Sequence, residues 1–159
     1  KLDGKLTIAS YNTPSSTGNN VVIQGDLLYE RNPRFGFSND LLGLVANNNV
    51  IVADNVPAGG NREIHGSIFA RTGSFTAENY ASRPVNNELR ILGSIVQRTR
   101  GAVGTFTGSA TLASGFYKRY RYDDRLADNN VRPPAYPGFI RKSYTILNWW
   151  ESYRIMDFE

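Results

Sequence analysis

Cysteine is missing from all 159 residues, which excludes disulfides and cysteine-based zinc sites and leaves the compartment open. Histidine occurs once, at His65, so no second imidazole is present to share a metal ion or a proton relay. No apolar run approaches the ~20 residues of a membrane-spanning helix. A signal peptide is lacking too. The chain opens on Lys1-Leu2-Asp3-Gly4-Lys5-Leu6-Thr7-Ile8, already in strand pattern, and without an initiator Met it is expected to be a mature or excised portion. Tight hairpin signals are scarce, since Asp3-Gly4 is the single Asn-Gly or Asp-Gly pair.

What is present favours β-structure. Nine Tyr, eight Phe and two Trp accompany a single Met, and 15 Gly are joined by many Asn. Aromatic and β-branched residues suit half-buried pleated surfaces, and Gly and Asn suit turns. Hydrophobic residues make up 40% and charged residues 20%, a composition able to bury one continuous core, and residues 1–159 are expected to form one domain.

Internal repetition carries the fold argument. Val21-Val22-Ile23-Gln24-Gly25-Asp26-Leu27-Leu28-Tyr29, Leu41-Leu42-Gly43-Leu44-Val45-Ala46, Glu63-Ile64-His65-Gly66-Ser67-Ile68-Phe69-Ala70 and Leu89-Arg90-Ile91-Leu92-Gly93-Ser94-Ile95-Val96 each place a Gly between two apolar runs. Further strands fit at Leu6–Ala9, Val50–Ala53 and Ser74–Ala77, with turns at Asn47-Asn48-Asn49 and Pro57-Ala58-Gly59-Gly60-Asn61. A β-sandwich of hairpins would need frequent two-residue turns; a parallel β-solenoid would stack one coil on the next, with the recurring Gly at a shared corner. The spacing favours an all-β solenoid, with repeats over about residues 1–108 and modest helical content; the sandwich is the alternative. From about residue 109 to 159 an aromatic and Pro-rich segment is expected to cap the last coil. It includes Arg132-Pro133-Pro134-Ala135-Tyr136-Pro137-Gly138, extended by its prolines, and two strands at Ser143–Leu147 and Trp149–Ile155.

The chemistry-bearing pattern is aromatic and basic. The formal net charge is +4, and from Leu89 to Tyr122 there are six basic residues (Arg90, Arg98, Arg100, Lys118, Arg119, Arg121) and no acidic one. Within Phe116-Tyr117-Lys118-Arg119-Tyr120-Arg121-Tyr122, strand alternation puts Lys118, Tyr120 and Tyr122 on one face and Arg119 and Arg121 on the other. Cations that track phosphates beside rings that stack on bases are the components of a nucleic-acid site. Arg98, Arg100, Lys118, Arg119 and Arg121 are therefore the candidate binding residues, with Arg119 and Arg121 expected beside Arg98 and Arg100 on a neighbouring coil. A solvated face, its arginines offset by Asp123, Asp124 and Asp128, is the competing reading.

Enzymatic patterns are weak. Asp123-Asp124 is the best carboxylate pair, but adjacent strand residues point to opposite faces. Pairing with Arg119, Arg121 or Arg125, or the start of a turn, explains these residues better. Ser10, Ser15 and Ser16 lack a nucleophile-elbow pattern, Gly59-Gly60 and Gly101-Ala102-Val103-Gly104 are not phosphate loops, and no calcium-loop spacing surrounds Asp124 and Asp128. No catalytic residue, metal or cofactor is expected. A carbohydrate-binding or carbohydrate-cleaving β-helix and a structural spacer are the alternatives.

Several stretches also resemble a bacterial domain family of unknown function. They are Gly25–Tyr29, Asp40–Val50, Glu63–Gly66, Gly73–Phe75, Gly93–Gly104, Gly115–Leu126, Pro133–Pro137 and Trp149-Trp150-Glu151. Members of that family lie at the C-terminal side of pilin-like surface proteins, including competence pilins that carry a β-solenoid. The resemblance implies an extracellular or cell-surface display module, partnered by DNA or other surfaces and by pilin-like subunits. The apolar N-terminal helix of the whole proteins is not in this sequence.

Overall fold

The computed structural model describes residues 1–11, 18–55, 60–85, 87–108, 111–128 and 130–138. Nine strands occur in the order β1 (Lys5–Ser10), β2 (Val21–Ile23), β3 (Leu41–Ala46), β4 (Val50–Val52), β5 (Arg62–Ala70), β6 (Phe75–Ala77), β7 (Asn87–Gln97), β8 (Gly104–Phe106) and β9 (Leu112–Tyr122). Odd-numbered strands stack in parallel as β1-β3-β5-β7-β9, and the short even-numbered strands stack in parallel as β2-β4-β6. This is a β-solenoid of about 3 turns. The wall of long strands is extended on one side by parallel bridges Leu2↔Tyr29 and Leu27↔Ile64, so the start of β5 lies between the Leu27–Tyr29 segment and β7.

Alternation explains the core. Register pairing lines up Leu44, Ile68 and Ile95 in one ladder, and Val50, Phe75 or Val52, Ala77 in the opposite wall. These side chains point into a common interior with Leu42, Ala46, Ile64, Leu89, Ile91, Val103 and Phe116. A parallel sheet covered on its inner face needs this density of branched apolar residues. The inner face is closed by the opposite wall of the coil rather than by helices.

The stacked-glycine reading holds for two of its four members. Gly66 and Gly93 are register partners. Gly43 sits one step out of line, paired with Ser67. Gly25 lies in no strand, in the link between β2 and the Leu27 bridge. Coil length does not grow along the chain. Thr7 pairs with Gly43, 36 residues on, whereas Gly43 pairs with Ser67 only 24 residues on. The first coil is long because it carries the loop over residues 30–39.

Residues after 108 also differ from the expected end cap. β9 is the next strand of the large sheet, paired along β7 from Asn87↔Phe116 to Gly93↔Tyr122, and β8 folds back antiparallel on it. Helical content is confined, among the described residues, to a 3-10 turn at Asp124–Ala127. The following residues strap the outer surface of the long-strand wall. Arg125 Nη1 donates to the Ser38 carbonyl at 2.8 Å, Thr7 Oγ1 donates to the Pro134 carbonyl at 2.5 Å, and Tyr136 packs edge-on against Phe69. Pro133 is fully buried there. The strands expected at 143–147 and 149–155, the turn at 57–59, and Ser15 and Ser16 lie outside the described residues.

Candidate anion-binding groove

The outer surface of the long-strand wall, beneath the 30–39 loop, holds a groove of about 420 Å³ whose lining includes Arg34, Phe35, Glu63, His65, Glu88, Arg90, Arg119 and Arg121. Register builds it. Glu63, Arg90 and Arg119 are successive partners across β5, β7 and β9, and His65, Leu92 and Arg121 form the next row. Adjacent rungs are about 4.8 Å apart, so side chains in one row touch.

Glu88 organises the cations. Arg90 Nε and Nη2 donate to its Oε2 at 2.8 and 2.7 Å, and Arg119 Nε donates to its Oε1 at 3.0 Å. Hydrogen bonds from Arg119 and then Arg90 hold the Glu88 carboxyl below its usual range. Shared between two guanidinium groups, one carboxylate fixes both side chains and leaves other N–H donors of Arg119 directed to solvent. Arg121 has no ion-pair partner among the described residues. Arg34 stacks its guanidinium 5.6 Å from the ring centre of Phe35. Four arginines against two glutamates leave the groove cationic.

His65 is buried and doubly engaged. The Tyr29 backbone N–H donates to Nδ1 at 3.2 Å, which places the ring proton on Nε2, where it is donated to Glu63 Oε1 at 2.9 Å. The ring is also tilted against Tyr29. Both nitrogens are occupied, so the imidazole orders the groove floor and Glu63.

The adjoining groove contains Asp123 and Asp124. Asp123 is buried and accepts from Arg125 Nε at 3.0 Å and Nη2 at 2.7 Å, and it also caps the 3-10 turn. This is the arginine pairing and turn initiation expected from the sequence. Burial, which by itself lowers the Arg125 pKa, is outweighed by hydrogen bonding and charge from Asp123, so the net shift is upward.

The five residues singled out from the sequence divide into separate places. Arg119 and Arg121 share an outward face, as alternation required, with Lys118 and Tyr120 in register with the inward Leu89 and Ile91. Arg119 does not stack on Arg98 or Arg100, however; its rung partner is Arg90. Arg100 and Lys118 line a different groove with Gln97 and Tyr120 at the far end of the solenoid. Partial burial, then repulsion from Arg100, lowers the Lys118 pKa. Arg98 lies in the turn after β7, its backbone N–H directed to the Ala70 and Gly73 carbonyls. The groove therefore gains Arg34, Phe35 and Arg90, of which only Arg90 fell within the basic window read from the sequence.

Comparison with protein families, curated proteins and solved structures returns no match to this chain.

Proposed function

We propose that this chain is a non-catalytic display and binding module of a pilin-like bacterial surface protein, and that its outward arginines contact DNA. One observation carries the reading: Arg90, Arg119, Arg121 and Arg34 converge on one open groove, with Glu88 holding two of them in place. Pre-fixed guanidinium groups suit phosphate oxygens, because their planar donor forks need little further ordering. The extracellular placement and the pilin association rest on the family resemblance of the sequence. The non-catalytic reading is supported by the engagement of both His65 nitrogens and by the Arg125 clamp on Asp123. Among the described residues, no helix is long and apolar enough to cross a membrane.

Fluorescence anisotropy with labelled DNA over a salt series tests the proposal. Affinity is expected to fall steeply as salt rises, with a slope of about 0.9 per phosphate neutralised. Replacing Arg119 and Arg121 together by Gln should weaken binding and reduce that slope by about two. The Arg98→Gln/Arg100→Gln pair should change it far less, because those residues lie outside the groove. Absence of binding at low salt, or equal effects of the two pairs, would refute it.

A further inference from the structure

The loop that roofs the groove ends in two aromatic rings that nothing covers. Phe35 is 82% exposed and Phe37 84% exposed, separated only by Gly36. Single exposed apolar residues are ordinary on protein surfaces, but two fully presented phenyl rings on one loop tip are not.

The loop is held in this shape. Asp40, itself buried, accepts from the Arg31 backbone N–H at 3.1 Å, the Ser38 hydroxyl at 3.0 Å and the Gly4 backbone N–H at 2.8 Å, which pins both ends of the loop to the first coil. Arg125 Nη1 ties the Ser38 carbonyl to the C-terminal strap. Within the loop, Asn32 closes a turn by accepting from the Arg34 N–H through its side chain and from the Phe35 N–H through its carbonyl, each at 3.0 Å. A loop ordered by this many bonds keeps its rings in solvent by construction, and the ordering cost of a later contact is already met. Around the rings are cations: Arg34 beside Phe35, exposed Arg31 at the start of the loop, and Lys5 in the groove lined by Phe37.

We propose that the 30–39 loop is a lipid-contacting tip, with Phe35 and Phe37 entering the interface of an anionic membrane and Arg31, Arg34 and Lys5 lying among its headgroups. A protein partner would have to supply a pocket for each ring on a convex tip. A lipid surface needs none, because it yields around the rings, and its negative charge matches the surrounding cations. The proposal stands on different side chains from the DNA reading and does not depend on it.

Flotation with lipid vesicles tests it, comparing neutral phosphatidylcholine with mixtures containing anionic phosphatidylglycerol. The protein should float with anionic vesicles and not with neutral ones. Phe35→Ser/Phe37→Ser should lower the partition coefficient by roughly tenfold or more per ring, without altering the thermal melt, since neither ring packs in the core. Arg31→Gln should lower it by about fivefold. Phe35→Trp should retain binding and show a blue shift of the new indole emission on anionic vesicles. Equal flotation of the Ser variant and the native protein would overturn the proposal, as would equal flotation with both lipids or with neither. Concentration-dependent dimerisation abolished by the Ser variant would assign the tip to self-association instead and also overturn it.

Discussion

Replacing Gly93 by alanine puts a methyl carbon 1.8 Å from the carbonyl oxygen of Gly66 on the coil beneath and 2.6 Å from its carbonyl carbon. Both obstacles are backbone atoms held in the β5–β7 ladder, so no side-chain rotation relieves them. Gly93 also has a φ of +156°, where a Cβ is disfavoured. Forced insertion of one carbon into a packed interior costs typically 1–3 kcal/mol, and the unfavourable φ adds to that. About 3 kcal/mol is expected, after a small offset from the reduced entropy of the unfolded chain. For a protein of this size that lowers Tm by roughly 6–12 °C. Gly25→Ala is the matched control: the same residue type in the same sequence pattern, but with nothing nearer to its added methyl than Arg62 Nη1 at 4.0 Å. Its Tm should move by no more than about 2 °C, as at a surface position. Melting followed by far-ultraviolet circular dichroism separates the two. Equal shifts for Gly93→Ala and Gly25→Ala would refute the coil register, and with it the assignment of Gly66 and Gly93 as the stacked pair.

Two pH dependences follow from buried groups. Burial opposes ionisation of Asp40, but hydrogen bonds from Gly4, Arg31 and Ser38 and the charge of Arg125 prevail and hold its carboxyl below the ordinary value of 3.8. Its stabilisation is complete above that value and fades as the pH falls through the lower folded one, so Asp40→Asn should flatten the loss of urea stability below pH 4; unchanged steepness would refute the role of Asp40. Burial pushes Tyr29 from 10.0 up to about 12 despite the N–H of Leu42 donating to its hydroxyl. The neutral phenol stabilises the fold below pH 10, and that contribution is lost as the pH rises from 10 through about 12. Tyr29→Phe should therefore lose less stability over that interval than the native protein; parallel losses in urea titrations would refute it.

The parts of this fold legible in the sequence are those set by neighbours along the chain. Alternation within Phe116–Tyr122 separates Arg119 and Arg121 from Lys118 and Tyr120, because successive strand residues point to opposite faces whatever the strand pairs with. Which coil lies beneath is a different matter. The choice between Arg90 and Arg98 as the partner of Arg119 depends on register across 29 residues of chain, and one step of register exchanges every contact. The glycine pattern misleads for the same reason: Gly43 has the local sequence of Gly66 but lies one rung away, and Gly25 is drawn out of the stack altogether. Arg34 and Phe35 were beyond reach because their loop has no periodicity; its position is fixed by Asp40 and Arg125.

Those two anchors make the groove a property of the completed solenoid. Arg34 is brought over Arg121 only when the loop is pinned by Asp40, and Asp40 takes its hydrogen bonds from Gly4, Arg31 and Ser38 in the first coil. Ser38 is in turn held by Arg125, which follows the last strand and is clamped by buried Asp123. Residues 87 positions apart in the chain thus meet across the wall. A truncation within β9 would remove Arg119 and Arg121 and, by releasing Ser38, would also loosen the loop that carries Arg34, Phe35 and Phe37. Cation row and aromatic tip should therefore be lost together, although each is built from side chains that never touch the strap.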